Sequence, residues 1–193
     1  MRSNMAGTLH RILVYLLFQS FFPFYGASAQ SNARDDISPG QFRANFVMNL
    51  VRKREWLKEM TRGELERNGV VIVVIHDEDV RERITKTSQK LQVPIAILDS
   101  LADLGERTPH FVFFGRESTD KELQALDTLP DTYVTTIGES PDFFRRGGCF
   151  RINLDVPPKN EKRMMYHRQT HLDTRVQYKA ELFRHITQAT AQD

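Results

Sequence analysis

An unbroken run of six β-branched residues, Val-Val-Ile-Val-Val-Ile at positions 70–75, constrains the fold of this chain most. Such a run is typical of a strand buried on both faces of a parallel sheet, since a strand with one wet face alternates apolar and polar residues. Further short apolar runs at 93–98, 110–114 and 133–137 predict three more strands. Helical patterns lie between them, over 78–91 and after a cap at Ser118-Thr119-Asp120. This alternation predicts an α/β fold, a single domain with a mostly parallel central sheet flanked by helices.

The stretch before the β-branched run has the pattern of an amphipathic helix over roughly 39–60. Ser38 followed by Pro39 is typical of a helix cap and first turn. Phe46 and Leu50 recur at helical spacing, so we expect them to pack this helix onto the sheet, with Trp56 closing its end.

The end of the chain departs from the strand–helix alternation. After Gly147-Gly148, apolar stretches at 149–154 and 163–169 flank a polar Pro/Asn turn. They predict a C-terminal antiparallel hairpin at the edge of the sheet. Residues 173–188 then predict a closing helix, whose apolar side comprises Val176, Leu182, Phe183 and Ile186.

The first 29 residues have the pattern of a cleavable signal peptide. Arg2 and Arg11 give a basic start, positions 12–25 are mainly apolar, and Ala27-Ser28-Ala29 supplies the small residues that signal peptidase needs. A retained membrane span is the alternative, but a span needs roughly 20 apolar residues and this run is shorter. We therefore expect cleavage after Ala29, export to the periplasm, a flexible leader over 30–37, and a folded domain over 38–193.

Charge argues against general binding to nucleic acid. The chain has 27 Lys and Arg against 25 Asp and Glu. Arg2 and Arg11 are the only charged residues of the predicted signal peptide, so the charges of the remaining chain balance. Nucleic-acid binding needs a basic face that displaces counterions from phosphates.

Cys149 is the only cysteine, so no disulfide can form within the chain. A buried thiol is the favoured interpretation. A disulfide between two chains, and with it a homodimer, stays open.

Four short patterns could carry chemistry, and a structural interpretation is favoured for each. His76-Asp77-Glu78-Asp79 could bind a cation where a strand ends, but lacks calcium-loop spacing and suits a solvated, acidic helix start. His167 and His171 are four residues apart, but Arg168 stands where a zinc protease has glutamate. We assign them to a strand leading into a turn, as surface histidines.

The remaining two patterns lie together at 145–149. Arg145-Arg146-Gly147-Gly148 could hold an anion, but also fits a tight turn that needs glycine. Cys149 has no neighbouring histidine to act as its base. Residue chemistry alone therefore predicts no enzyme, cofactor or metal.

Two segments resemble the YfiR-like family of bacterial periplasmic proteins. Residues 43–56, Arg-Ala-Asn-Phe-Val-Met-Asn-Leu-Val-Arg-Lys-Arg-Glu-Trp, are similar to the family's first helix with its closing Glu-Trp. Residues 140–148, Ser-Pro-Asp-Phe-Phe-Arg-Arg-Gly-Gly, are similar to the family's phenylalanine, two variable residues and Gly-Gly before the terminal hairpin. The predicted strands and the 172–186 stretch fall in the family's order, so the resemblance covers about 42–187.

The resemblance implies a periplasmic regulator without enzymatic activity. Such proteins restrain the sensory portion of a membrane signalling protein, typically a diguanylate cyclase that makes cyclic di-GMP; a sensor kinase is another such partner. A periplasmic module that binds a small ligand is the alternative, and an exported enzyme the third.

The chain departs from the family at several places. Family members often have cysteines where this chain has Val73 and His110. In the penultimate strand, the family has an aromatic residue followed by Glu, Ile and Asn, where this chain has Tyr166-His167-Arg168-Gln169. The polar Arg168 therefore stands in the place of the apolar Ile. An edge strand exposes unpaired backbone groups that can meet a partner. We therefore predict a partner-binding surface at Arg145, Arg146, Tyr166, His167 and Arg168.

Overall fold

The structure is a computed structural model that describes residues 37–56, 67, 69–90, 94–129, 133–173 and 175–189. The predicted signal peptide and positions 30–36 of the predicted leader lie outside these residues, as does the 57–60 part of the first predicted helix. Among the described helices, none is both long and apolar enough to cross a membrane. The helices are α1 (Pro39–Lys53), α2 (Glu78–Ser88), α3 (Asp120–Leu123) and α4 (Arg168–Asp173); the strands are β1 (Val70–Ile75), β2 (Ile95–Leu98), β3 (Phe111–Phe114), β4 (Thr135–Gly138), β5 (Phe150–Ile152), β6 (Met164–Tyr166) and β7 (Thr187–Gln188).

The strands form one sheet in the order β2-β1-β3-β4-β5-β6-β7. The first five are parallel to one another, β6 is antiparallel to β5, and β7 is parallel to β6. The predicted α/β fold with a mostly parallel sheet and an antiparallel hairpin is therefore confirmed. The order 2-1-3-4-5 reverses direction between β1 and β3, which makes their carboxyl ends the topological switch point of the sheet.

Both faces of the sheet are covered, as the β-branched run predicts. All six residues of β1 are buried; Val70, Ile72 and Val74 belong to one apolar cluster, and Val73 and Ile75 belong to a second. One cluster includes Ile72 with α1, α2 and the C-terminal segment, and the other includes Val73 with α3 and the 143–144 loop. Parallel strands can be apolar throughout only in such a three-layer arrangement.

Helix α1 begins as predicted and ends earlier than predicted. The Ser38 hydroxyl accepts a hydrogen bond from the Gln41 amide at 3.2 Å, and Pro39 occupies the first turn. The predicted extension to residue 60 is wrong for 54–56, because Arg54 is extended and forms an antiparallel bridge with Tyr178. The Arg54 guanidinium reaches carbonyl oxygens at the start of β3 and β4, which an uninterrupted helix would not position it to do.

The terminal hairpin is confirmed: Phe150 pairs with Tyr166 and Ile152 with Met164. The prediction that this hairpin forms the sheet edge is wrong, because β7 pairs with β6 through Met165 and Tyr166. The predicted strand over 163–169 is also too long, since α4 begins at Arg168.

The predicted closing helix over 173–188 is wrong. An extended stretch around Tyr178, a 3-10 turn over Ala180–Arg184 and strand β7 replace it. Val176, Leu182 and Ile186 are nevertheless buried, as expected of its apolar side, while Phe183 is half-buried. Extended backbone is needed here because the segment pairs with Arg54 at one end and with β6 at the other.

Candidate functional site

The loop between β4 and β5 is built around the ring of Phe143. This side chain is fully buried, and two glycines lie against its ring. A Cβ atom on Gly138 would come within 2.4 Å of the ring, and one on Gly148 within 2.1 Å. Gly147 adopts φ +84°, a conformation that favours glycine. The Gly-Gly pair is therefore needed for a tight turn, as the structural interpretation of 145–148 predicts.

We expect Gly148→Ala to lower the free energy of unfolding by about 1–3 kcal/mol, because the added methyl group would overlap the Phe143 ring. Denaturant melts of the variant and the wild-type chain measure this loss. The same substitution in a Phe143→Leu background should cost less, since the smaller side chain removes the overlap. Equal costs in both backgrounds would show that the Phe143 contact is not the cause.

Arg145 and Arg146 flank Gly147 at the surface of this loop. The Arg145 side chain is 77% exposed and forms an ion pair with Asp142 within the loop. The hydrogen bond that Arg145 donates to Asp142 within this pair holds the pKa of the Asp142 carboxyl below its usual range. Arg146 is 31% exposed and reaches Asp120 at the start of α3. Both guanidinium groups thus have acidic neighbours that a partner's carboxylates could replace.

Tyr166, His167 and Arg168 lie where β6 ends and α4 begins. The Tyr166 ring is half-buried, 5.0 Å from that of Phe183, and its hydroxyl donates to Gln188 Oε1 at 3.3 Å. The His167 amide donates to the Cys149 carbonyl at 2.9 Å, and its Nδ1 lies 2.9 Å from the Thr170 hydroxyl. Arg168 is exposed.

The structure connects the two predicted groups through Phe144. Its ring centroid lies 5.9 Å from that of His167, so the loop carrying Arg145 and Arg146 packs on the end of β6. Sequence proximity does not reveal this junction, because 22 residues lie between Phe144 and His167. Cys149 is buried, as expected.

The prediction for His167 and His171 needs correction. His171 donates its amide to the His167 carbonyl at 3.0 Å, so the two residues span a helical turn and not a strand and turn. His171 is also half-buried and not an exposed surface histidine, because its ring packs against those of Phe150, Tyr178 and Phe183. This burial lowers the pKa of His171. Within the described ranges, no set of three or more His, Cys, Asp or Glu side chains is placed to hold a metal ion.

A second polar cluster lies at the carboxyl ends of β1 and β4, and the sequence did not predict it. Arg43 of α1 lies between two carboxylates, with Nε 2.8 Å from Asp77 Oδ2 and 3.5 Å from Glu139 Oε1. Asp77 also caps α2 by accepting from the Val80 amide at 3.0 Å, so the expected acidic helix start is present. The expectation that Asp77 is solvated is wrong, because its side chain is only 7% exposed.

The comparisons with known proteins place this fold in a family. A model of the YfiR/HmsC-like family matches residues 40–183, well over half of the chain. A comparison with curated proteins finds no match. The matched range begins in α1 and ends in the 3-10 turn before β7, so it contains the Gly-Gly loop and the terminal hairpin. The chain therefore belongs to the YfiR/HmsC-like family.

Proposed function

We propose that this protein is a periplasmic regulator without enzymatic activity. It binds and restrains the sensory portion of a membrane signalling protein, in the first place a diguanylate cyclase of cyclic di-GMP signalling, with a sensor kinase as the other candidate. The family match over residues 40–183 is the observation that carries this proposal.

The proposed location follows from the start of the chain. Residues 1–29 are removed as a signal peptide after Ala29, 30–37 form a leader, and 38–193 form the folded domain in the periplasm. The basic start, the short apolar stretch and Ala27-Ser28-Ala29 support this organisation.

The proposed partner surface comprises Arg145, Arg146, Tyr166, His167 and Arg168. Because β7 covers β6, the support for this surface comes from side chains and not from a free strand edge. Arg145 and Arg168 are exposed, and the Arg146 guanidinium is paired with the Asp120 carboxylate, which is itself 83% exposed. Surface ion pairs contribute about 0–1 kcal/mol, so acidic residues of a partner can replace these contacts at little cost.

Reversing two of these charges tests the surface. We expect Arg146→Glu combined with Arg168→Glu to reduce capture of the membrane partner by roughly tenfold or more, since each glutamate would repel an acidic partner surface. Cyclic di-GMP should rise because the restraint is lost. Co-purification of the membrane partner from cells that express the full chain, together with cyclic di-GMP measurement, gives both results.

Arg83→Glu is the matched control. The Arg83 side chain is 33% exposed, close to the 31% of Arg146, and it forms an ion pair with Asp79. Unlike Arg146, it lies on α2. It should leave capture and cyclic di-GMP unchanged, and all variants should retain the wild-type melting temperature. If the double reversal changes neither readout, this surface is not the binding face. If deletion of the gene changes no signalling output, the regulator proposal fails.

A further inference from the structure

The cluster at the carboxyl ends of β1 and β4 contains two buried carboxylates and one guanidinium in contact with both. The side chains of Arg43, Asp77 and Glu139 are 16%, 7% and 4% exposed. They come from α1, the residue before α2 and the residue after β4. The cluster thus connects the first helix with the carboxyl ends of two strands of the sheet.

The two carboxylates are not equally compensated. Asp77 has the closer ion-pair contact to Arg43 Nε, at 2.8 Å, although this contact lacks hydrogen-bond geometry, and its second oxygen caps α2. Glu139 Oε1 is 3.5 Å from the same Nε and has no hydrogen-bond partner among the described residues. A buried carboxylate without adequate hydrogen bonding is costly, and binding a proton removes that cost.

The surroundings of Glu139 do not compensate its charge. Arg43 and Arg116 favour the ionised form, whereas Asp77 and Asp155 oppose it. Arg116 is also paired with Asp155 at 3.0 Å, so its charge is shared. Burial has the largest influence and raises the pKa of Glu139 to about 7.

We propose that Asp77, Arg43 and Glu139 form a proton-binding switch. With Glu139 neutral, Arg43 and Asp77 form a balanced pair that holds α1 against the ends of β1 and β4. With Glu139 ionised, the cluster holds an uncompensated negative charge, and this attachment of α1 is weakened. The switch goes beyond the proposed regulation and does not depend on the partner's identity. An exported protein would meet the pH of its surroundings.

The direction of the pH effect follows from proton linkage. The folded protein retains the Glu139 proton over a pH range in which the unfolded chain, with the ordinary pKa of 4.5, has released it. The contribution of Glu139 to stability is therefore complete below pH 4.5 and is lost as the pH rises to about 7. His110 acts in the opposite direction: burial lowers its pKa from 6.5 to about 4, so its contribution is lost as the pH falls through that range. A difference measurement is needed to separate the two groups.

Glu139→Gln provides that difference, because it keeps the size of the side chain and removes its titration. We expect the melting temperature of the wild-type chain minus that of the variant to fall by roughly 3–8 °C between pH 5 and pH 8. Glu106→Gln is the control. Because Glu106 is exposed, the melting temperature of the wild-type chain minus that of this variant should stay constant over the same pH range. A constant difference for Glu139→Gln over the same range would overturn the proposal.

Carbon-13 NMR of the glutamate and aspartate carboxyl groups in the wild-type protein gives a second test. The Glu139 signal should titrate with a midpoint near pH 7, and the Asp77 signal should respond at the same midpoint. This measurement remains decisive even if Glu139→Gln does not fold. A midpoint below pH 5 would show that Arg43 compensates both carboxylates and that no switch exists.

Discussion

Replacing Arg54 by alanine is expected to lower the free energy of unfolding by about 3–5 kcal/mol. Arg54 is only 3% exposed. Its guanidinium donates to the His110 carbonyl at 3.1 Å and to the Tyr133 carbonyl at 2.7 Å. Hydrogen bonds of a charged group each contribute about 1.5–3 kcal/mol, and a buried cation over an aromatic ring adds up to about 2 kcal/mol. The ring here is that of Trp56, 4.3 Å from the guanidinium carbon.

Arg107→Ala is the matched control for this experiment. Arg107 also donates to two backbone carbonyls, those of Asp103 and Leu104, but it is exposed. Its removal should change stability by about 0.5 kcal/mol or less. Urea melts of both variants and the wild-type chain supply the comparison. Similar losses for the two arginines would mean that burial of Arg54 does not determine its contribution.

Phe46→Ala should also cost about 3–5 kcal/mol, because it removes a buried ring between α1 and the sheet. Phe46 is 4% exposed, and its ring lies edge-on to that of Phe150 on β5 at 6.1 Å. The expectation that Phe46 and Leu50 pack α1 onto the sheet is thus confirmed. The loss is measured by denaturant melts at constant pH.

Phe42→Ala on the same helix is the control. Phe42 is half-buried, and its ring lies 4.4 Å from the Arg163 guanidinium carbon. Phe42→Ala should therefore lower the free energy of unfolding by less than Phe46→Ala does. A loss below about 1 kcal/mol for Phe46→Ala would contradict the assignment of this ring to the core.

Local patterns predicted the parts of the fold that local physics determines. The β-branched run predicted β1 because six consecutive β-branched residues favour a strand that is buried on both faces. Ser38 predicted the start of α1 because its hydroxyl satisfies a backbone amide of its own helix. The end of α1 could not be predicted from the sequence, because the apolar periodicity continues past Lys53. Arg54 leaves the helix for carbonyls that lie 56 and 79 residues further along the chain.

The same limit applies to the C-terminal segment and the polar cluster. Val176, Leu182 and Ile186 were correctly expected to be buried, but their spacing does not reveal that the backbone must pair with Arg54 and with β6. Nothing near Glu139 in the sequence indicates Arg43 as its neighbour. Asp77 was visible only as part of a polar stretch that follows a strand and begins a helix. The proposed partner surface was chosen from the sequence, and it stays a prediction.

The pairing between the end of α1 and the C-terminal segment has a consequence for how the chain folds and is degraded. The Glu55 amide donates to Gln177 and the Lys179 amide to Lys53, at 2.8 and 2.9 Å. More than 120 residues of chain separate the two sides, so closing this loop has a large entropic cost and should occur late in folding. With the proposed export, almost the entire domain must reach the periplasm before the contact can form. Proteolytic removal of this segment would break both hydrogen bonds and take Val176, Leu182 and Ile186 out of the core, so the rest of the domain should become less stable.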